Sequence, residues 1–212
     1  MELTTAVIQR ALSLPNFDAR AAHFHMLPTD RNRQRPPELP GQPRVGGVLL
    51  LLYPHQDATH LVLTRRRNDL NSHAGQISFP GGRREPGETA VQAALRETEE
   101  EIGVQTGVIS VLGELTNIYI PPSDFEVHPF VGWVNGGKRP SFMPEPREVA
   151  EILEVPLAHL LDPDTREVGP IAVRGATYTV PYYNFNGHKV WGATAIMLSE
   201  FLGRLQTVLT LQ

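Results

Sequence analysis

Residues Gly82 to Val104 read GRREPGETAVQAALRETEEEIGV, and the reading of this stretch decides how the rest of the chain is understood. Thr89 followed by Gln92 has the form of a capping box, in which hydroxyl and amide satisfy opposite backbone groups at a helix start. Gly103 stands where a left-handed C-terminal cap belongs. Between them Ala90, Ala93, Ala94, Leu95 and Ile102 give a small-residue face that can press closely onto a sheet. Glu97, Glu100 and Glu101 fall on another side of the same helix, because positions three and four apart share a face. At about 1.5 Å rise per residue the three carboxylates lie within one turn of each other. Like charges this close repel, so the cluster is either well solvated or holds a cation.

Working outward, Arg44 to Leu52 and Thr59 to Thr64 are strand-like runs separated by the turn Pro54-His55-Gln56-Asp57. Val108 to Leu115 and Val127 to Val134 read as further strands, joined by a loop over Asn117 to Glu126 that contains Pro121-Pro122. Ile152 to Leu161 reads as a strand running into a short helix, and Tyr178 to Phe185 as a hairpin strand. Trp191 to Leu211 is a closing helix, with Ala195, Leu198, Leu202, Leu205 and Leu209 three or four apart. At the other end, Leu3, Val7, Ala11 and Leu14 have helical spacing, and the proline-rich run from Pro28 to Pro43 reads as an extended linker. The expected division is therefore residues 1–43, N-terminal helix and linker, and 44–212, the main domain.

The 212 residues suit one domain with added terminal elements, and 41% hydrophobic content is enough for a substantial core. A formal net charge of −4 gives no global attraction to polyanions and argues against a nucleic-acid partner. There are no cysteines, which excludes disulfides, thiol catalysis and thiolate metal sites. The longest apolar run, Val48 to Tyr53, is far below the ~20 residues of a membrane-spanning helix. No secretory signal or peroxisomal address is visible, so the expectation is a soluble, cytoplasmic protein.

Glu-rich helix faces are ordinarily solvated, but the context here is specific. Gly82, Glu88, Arg96, Glu97, Glu100, Glu101 and Gly103 match Gly-x5-Glu-x7-Arg-Glu-x-x-Glu-Glu-x-Gly. Seven fixed positions at roughly 7% background each would coincide by chance on the order of once in a million chains. The chain closely resembles a Nudix hydrolase. Thr98 departs from the resemblance, because an apolar residue is usual there; the position packs beneath the helix, away from the metal chemistry.

The resemblance implies an α/β fold, an α/β/α sandwich with a mixed β-sheet plus added N- and C-terminal helices. It implies Mg²⁺ or Mn²⁺ as cofactor, held by Glu97, Glu100, Glu101 and the Gly82 carbonyl. Hard cations of this kind take oxygen ligands from carboxylates, substrate phosphates and water. Arg96, Glu100 and Glu101 are the implied catalytic group, with Arg96 also able to pair with Glu88 or Glu100. Which carboxylate takes the proton from water stays open: Glu100 and Glu101 lead, and Glu148, in a later loop, is an outside candidate.

Upstream, Leu63-Thr64-Arg65-Arg66-Arg67, Leu70, His73-Ala74-Gly75-Gln76 and Phe79-Pro80-Gly81-Gly82 are similar to the extended signature of the coenzyme A pyrophosphatase branch. That signature has the form LTxRS, Leu, HxGQ, FPGG, and Arg67 stands where Ser is usual. The implied substrate is coenzyme A, with Arg66, Arg65, His73 and Gln76 as substrate contacts. Guanidinium groups suit phosphates because their planar fork binds bidentately, and strand alternation sends Arg66 to the face opposite Arg65 and Arg67. Other nucleotide diphosphates, such as ADP-ribose, NADH or a dinucleoside polyphosphate, remain the alternative substrates. The N-terminal segment leaves room for a homodimer contact, which nothing in the sequence requires.

Overall fold

The computed structural model describes residues 3–27, 41–69, 75–173 and 175–211. Helix α1 (Thr5–Leu12) starts at Thr4, whose hydroxyl accepts from the Val7 N–H. A second short helix, α2 (Ala19–Phe24), is capped by Asp18; its six residues carry too little periodicity to be seen in the sequence. Most of the proline-rich run, residues 28–40, lies outside the described residues.

Strands β1 (Arg44–His55) and β2 (Ala58–Arg66) form a hairpin. Its turn is narrower than the sequence suggests. Gln56 and Asp57 both take left-handed conformations, φ 49° and 58°, which matches the twist of a two-residue hairpin turn and lets pairing continue through His55 and Ala58. There follow β3 (Ile77–Ser78), β4 (Gly81–Arg83), α3 (Ala90–Ile102), β5 (Ile109–Glu114), β6 (Ile118–Ile120), β7 (Phe125–Val134) and β8 (Val149–Pro156). The expected loop over 117–126 thus contains a strand, β6, which pairs with β7. The main sheet runs β3-β2-β1-β7-β5, with β4 beside β1, β6 beside β7 and β8 beside β2. The β1–β7 pairing is parallel and the others are antiparallel, so the sheet is mixed.

Alternation along β1 divides the core. Leu49, Leu51 and Tyr53 pack with Ala94 and Ile102 of α3, whereas Leu50 and Leu52 pack with the opposite layer. Both faces being covered explains why the strand reads as an unbroken apolar run. The opposite layer contains α4 (Leu157–Leu161), α5 (Gly192–Thr210) and α1, which contributes Ile8 and Ala11. A smaller antiparallel sheet, β9 (Arg166–Val173), β10 (Ala176–Phe185) and β11 (His188–Trp191), precedes α5. The sequence shows only the middle of these three strands, because Gly169-Pro170 interrupts β9 and β11 has four residues.

One buried carboxylate ties the two ends of the chain together. Glu200 of α5 accepts from His23 Nε2 at 2.8 Å, Arg204 Nε at 3.0 Å, the Thr116 hydroxyl at 3.1 Å and the Thr116 N–H at 3.2 Å. Arg204 also donates to the Leu12 carbonyl at 3.2 Å. Burial pushes the Glu200 carboxyl up, but hydrogen bonds from His23 and Arg204 outweigh it and hold the group below its ordinary value.

Candidate active site

The site is assembled on α3, whose ends are the two caps read from the sequence. Thr89 and Gln92 form the reciprocal capping box, and Gly103 has φ 74°. Thr98 is fully buried, and its hydroxyl donates to the Ala94 carbonyl at 2.6 Å. The departure from an apolar residue is therefore satisfied inside the helix itself.

The three carboxylates do not share one direction. At about 100° of rotation per residue, Glu100 and Glu101 flank Glu97 on either side. Glu100 swings to the solvent edge, its side chain 59% exposed. Glu97 lies over the Gly82 backbone, where a β-carbon would come within 2.3 Å of its carboxyl. Glu101 turns under the helix, 5% exposed, and accepts from the Gly81 N–H at 3.3 Å. Arg96 occupies the centre. Its Nε and Nη2 fork onto Glu88 at 3.0 and 3.2 Å, its Nη1 lies 3.0 Å from both Glu97 and Glu100, and its Nη2 reaches the Arg83 carbonyl at 3.1 Å. With Arg96 drawing Glu97 and Glu100 toward itself, no three His, Asp or Glu side chains among the described residues stand close enough to hold one ion.

A fourth carboxylate arrives from the segment after β7. The Met143 N–H donates to the Ile102 carbonyl and the Glu145 N–H to the Glu101 carbonyl, both at 2.9 Å. This strap closes the exposed C-terminal carbonyls of α3 and then turns, with the Glu148 and Val149 N–H groups both returning to the Glu145 carbonyl. Arg66, at the end of β2, faces the group from the other side: its Nη1 is 3.6 Å from Glu101 Oε1 and 3.7 Å from Glu148 Oε2.

The electrostatics follow from this crowding. Burial pushes the Glu101 carboxyl up to about 8; the Gly81 N–H and Arg66 oppose the rise, and Glu97 and Glu148 add to it. Burial likewise raises Glu97, against Arg96 and with help from Glu100 and Glu148. Glu88 is held low by its hydrogen bonds from Arg96. Carboxylates that are buried, close and short of donors are stabilised by a cation, and an all-oxygen donor set without thiolate or imidazole suits Mg²⁺ or Mn²⁺. The residues present fit such an ion chemically, with Glu97 against Gly82, Glu101 on the Gly81 N–H and Glu148 across Arg66 from it.

Of the residues expected to contact substrate, Arg66 joins the carboxylates. Arg65 does not: alternation sends it to the opposite face, where its Nε binds Glu151 at 2.8 Å with His188 beyond. Gln76 accepts through its carbonyl from the Arg66 N–H at 3.0 Å, beside the site. His73 lies outside the described residues. The Gly82 carbonyl points toward Gly46 of β1, while its missing side chain is what admits Glu97. The Gly81 N–H beside Glu101 was not singled out by sequence reasoning, because a backbone donor leaves no residue-type signal.

The NUDIX domain matches residues 43–172, and the chain belongs to the Nudix family; it is a Nudix pyrophosphohydrolase. It is 37% identical over 147 residues to an uncharacterized Nudix hydrolase NudL of Photorhabdus laumondii, covering 69% of this chain and 77% of the relative. It is 31% identical to Nudix hydrolase 3 of Caenorhabditis elegans, covering 73% of this chain and 70% of the relative. In fold, it is similar to a MutT/nudix family protein from Enterococcus faecalis, with a TM-score of 0.54 at 13% identity, covering 98% of this chain and 76% of the other. The α/β fold with its mixed sheet and flanking terminal helices is thus that of the family. No helix among the described residues is long and apolar enough to cross a membrane.

Proposed function

We propose that the chain is a Mg²⁺- or Mn²⁺-dependent coenzyme A diphosphatase. Water adds to one phosphorus of the diphosphate and the P–O–P bridge breaks. The products are adenosine 3′,5′-bisphosphate and 4′-phosphopantetheine, each ending in a phosphomonoester. When bound, the cation neutralises phosphate oxygens and makes water a better nucleophile. Glu97 and Glu101 would hold it against the backbone at Gly82, with Glu100 available once released from Arg96. Arg96 keeps the mutually repelling carboxylates in register through Glu88. Glu101, Glu100 and Glu148 are the candidates for taking the proton from water, and Arg66 is the phosphate contact.

The observation that carries the reading is Arg66 standing between Glu101 and Glu148. A forked cation suited to phosphate lies directly beside a crowded group of carboxylates suited to a metal. The choice of coenzyme A rests on the extended signature from Leu63 to Gly82. Hydrolysis of coenzyme A, ADP-ribose, NADH and a dinucleoside polyphosphate, each with Mg²⁺ and with Mn²⁺, tests it. Coenzyme A is expected to have the highest kcat/KM, with both products identified by mass. A higher value for any of the other three would transfer the assignment to that compound.

A further inference from the structure

Arg67 breaks the resemblance in the substrate signature, and the structure shows what the change accomplishes. Its Nε and Nη2 bind Asp69 at 2.8 and 2.6 Å, and its Nη1 reaches across to the Pro146 carbonyl at 2.8 Å. Its backbone is engaged on both sides as well: the Arg67 N–H donates to the Glu148 carbonyl at 3.1 Å, and its own carbonyl accepts from Gly75 at 3.3 Å. A serine could keep the backbone bonds but could not span from Asp69 to Pro146.

We propose that Arg67 is a positioning residue, a clamp that fixes the strap around Pro146 and so sets Glu148 against Arg66 and Glu101. The inference rests on the reading of this group as the hydrolytic site. Exposed ion pairs contribute little when one charge simply meets another, and both partners here are substantially exposed. This clamp differs because one planar guanidinium makes three bonds in two directions, which holds geometry rather than adding stability. The Glu148 side chain meets Arg66 at 3.7 Å, beyond hydrogen-bond distance, so its direction depends on its backbone. That backbone is held by the Arg67 N–H, by the turn back to the Glu145 carbonyl and by the pairing of Val149 with Arg66, and the guanidinium adds the bond that fixes Pro146 between them.

The test is a double-mutant cycle on whichever diphosphate the wild-type enzyme splits. Arg67→Ser is expected to lower kcat roughly 10-fold with KM within about twofold, since misplacing a reacting group costs turnover before binding. Asp69→Asn should reproduce the loss without touching the buried core. Arg67→Lys should fail to restore it, because an ammonium has no fork for two directions. In a Glu148→Gln background, Arg67→Ser should cost nothing further, since the clamp acts through Glu148. Undiminished kcat in Arg67→Ser, or the same loss with and without Glu148, would overturn the proposal.

Hydrogen–deuterium exchange gives a reading that needs no turnover. The 145–149 amides should exchange faster in Arg67→Ser and in Asp69→Asn than in the wild type, and unchanged protection would count against the clamp. Should the wild type split none of the four diphosphates, the proposed function fails while this exchange experiment still decides the role of Arg67.

Discussion

Glu200 on α5 and Glu101 on α3 are both buried, at 0% and 5% exposure, yet their surroundings are opposite. Glu200 receives hydrogen bonds from His23, Arg204 and both donors of Thr116, and no other carboxylate stands among these partners. Glu101 has one backbone donor at 3.3 Å and Arg66 at 3.6 Å, and it senses the charges of Glu97 and Glu148. The first is complete as it stands and joins the two ends of the chain. The second has few donors for its burial, a deficit that a bound cation would relieve. Burial alone does not separate a structural carboxylate from a functional one; the number and sign of its neighbours do.

That contrast predicts opposite mutational signatures. Glu200→Ala leaves His23 and Arg204, both half-buried, without their partner, and removing one member of a buried set costs up to about 3–5 kcal/mol. Urea unfolding should show that loss, while turnover per folded molecule stays near wild type. Glu101→Gln should do the reverse, lowering kcat at least ~10²-fold with an unfolding midpoint equal to or above wild type. If Glu101→Gln destabilises and Glu200→Ala selectively abolishes turnover, the two roles have been assigned the wrong way round.

Two glycines in paired strands sharpen the same distinction at smaller cost. Gly47 and Gly82 face each other across β1 and β4. A β-carbon at Gly82 would meet the end of the flexible Glu97 side chain, but at Gly47 it would lie 2.0 Å from the Ala90 backbone carbonyl. Gly82→Ala should therefore displace Glu97 and lower turnover by about 10-fold with little loss of stability. Gly47→Ala should lift α3 from the sheet and cost roughly 1–3 kcal/mol. Thermal melts paired with initial rates separate the two, and equal stability losses would mean that Glu97 is part of the packing.

What the sequence revealed follows from which forces are local. The α3 caps depend on Thr89, Gln92 and Gly103 acting on adjacent backbone, so they were readable, as was the packing face of Ala93, Ala94 and Ile102. The spacing of Glu97, Glu100 and Glu101 also showed where the acidic group lies. It did not show that the three diverge, because a face is a coarse description when Glu100 and Glu101 are a full residue rotation apart and Arg96 selects among them. The separation of Arg65 from Arg66 came from strand alternation. Arg67 bonds to Pro146 across 79 positions, and Glu148 comes to the site on a strap tied to α3 by contacts between residues far apart in sequence, which no local pattern encodes. Strands β3, β4, β6 and β11 were missed for a related reason: their pairing with longer neighbours, and not their own short sequences, makes them strands, while Gly169-Pro170 concealed β9.

The pH dependence of stability bears directly on the two glutamates. With the folded carboxyl of Glu101 raised to about 8 from an unfolded value of 4.5, the folded chain holds a proton that the unfolded chain releases between those values. Stability then falls as pH rises through that window, and the penalty is complete above it. Glu97, raised as well, adds to the same slope. Glu200, held below 4.5, acts in the opposite sense: its contribution is present above pH 4.5 and is lost as pH falls through its folded value. In chelator, the melting temperature should decline by roughly 10 °C between pH 5 and pH 8. Glu101→Gln should flatten that decline without removing it, and Mn²⁺ should flatten it in the wild type by replacing the proton as the neutralising charge. A slope that neither the substitution nor the cation alters would place its origin elsewhere, and Glu101 would then be as self-sufficient as Glu200.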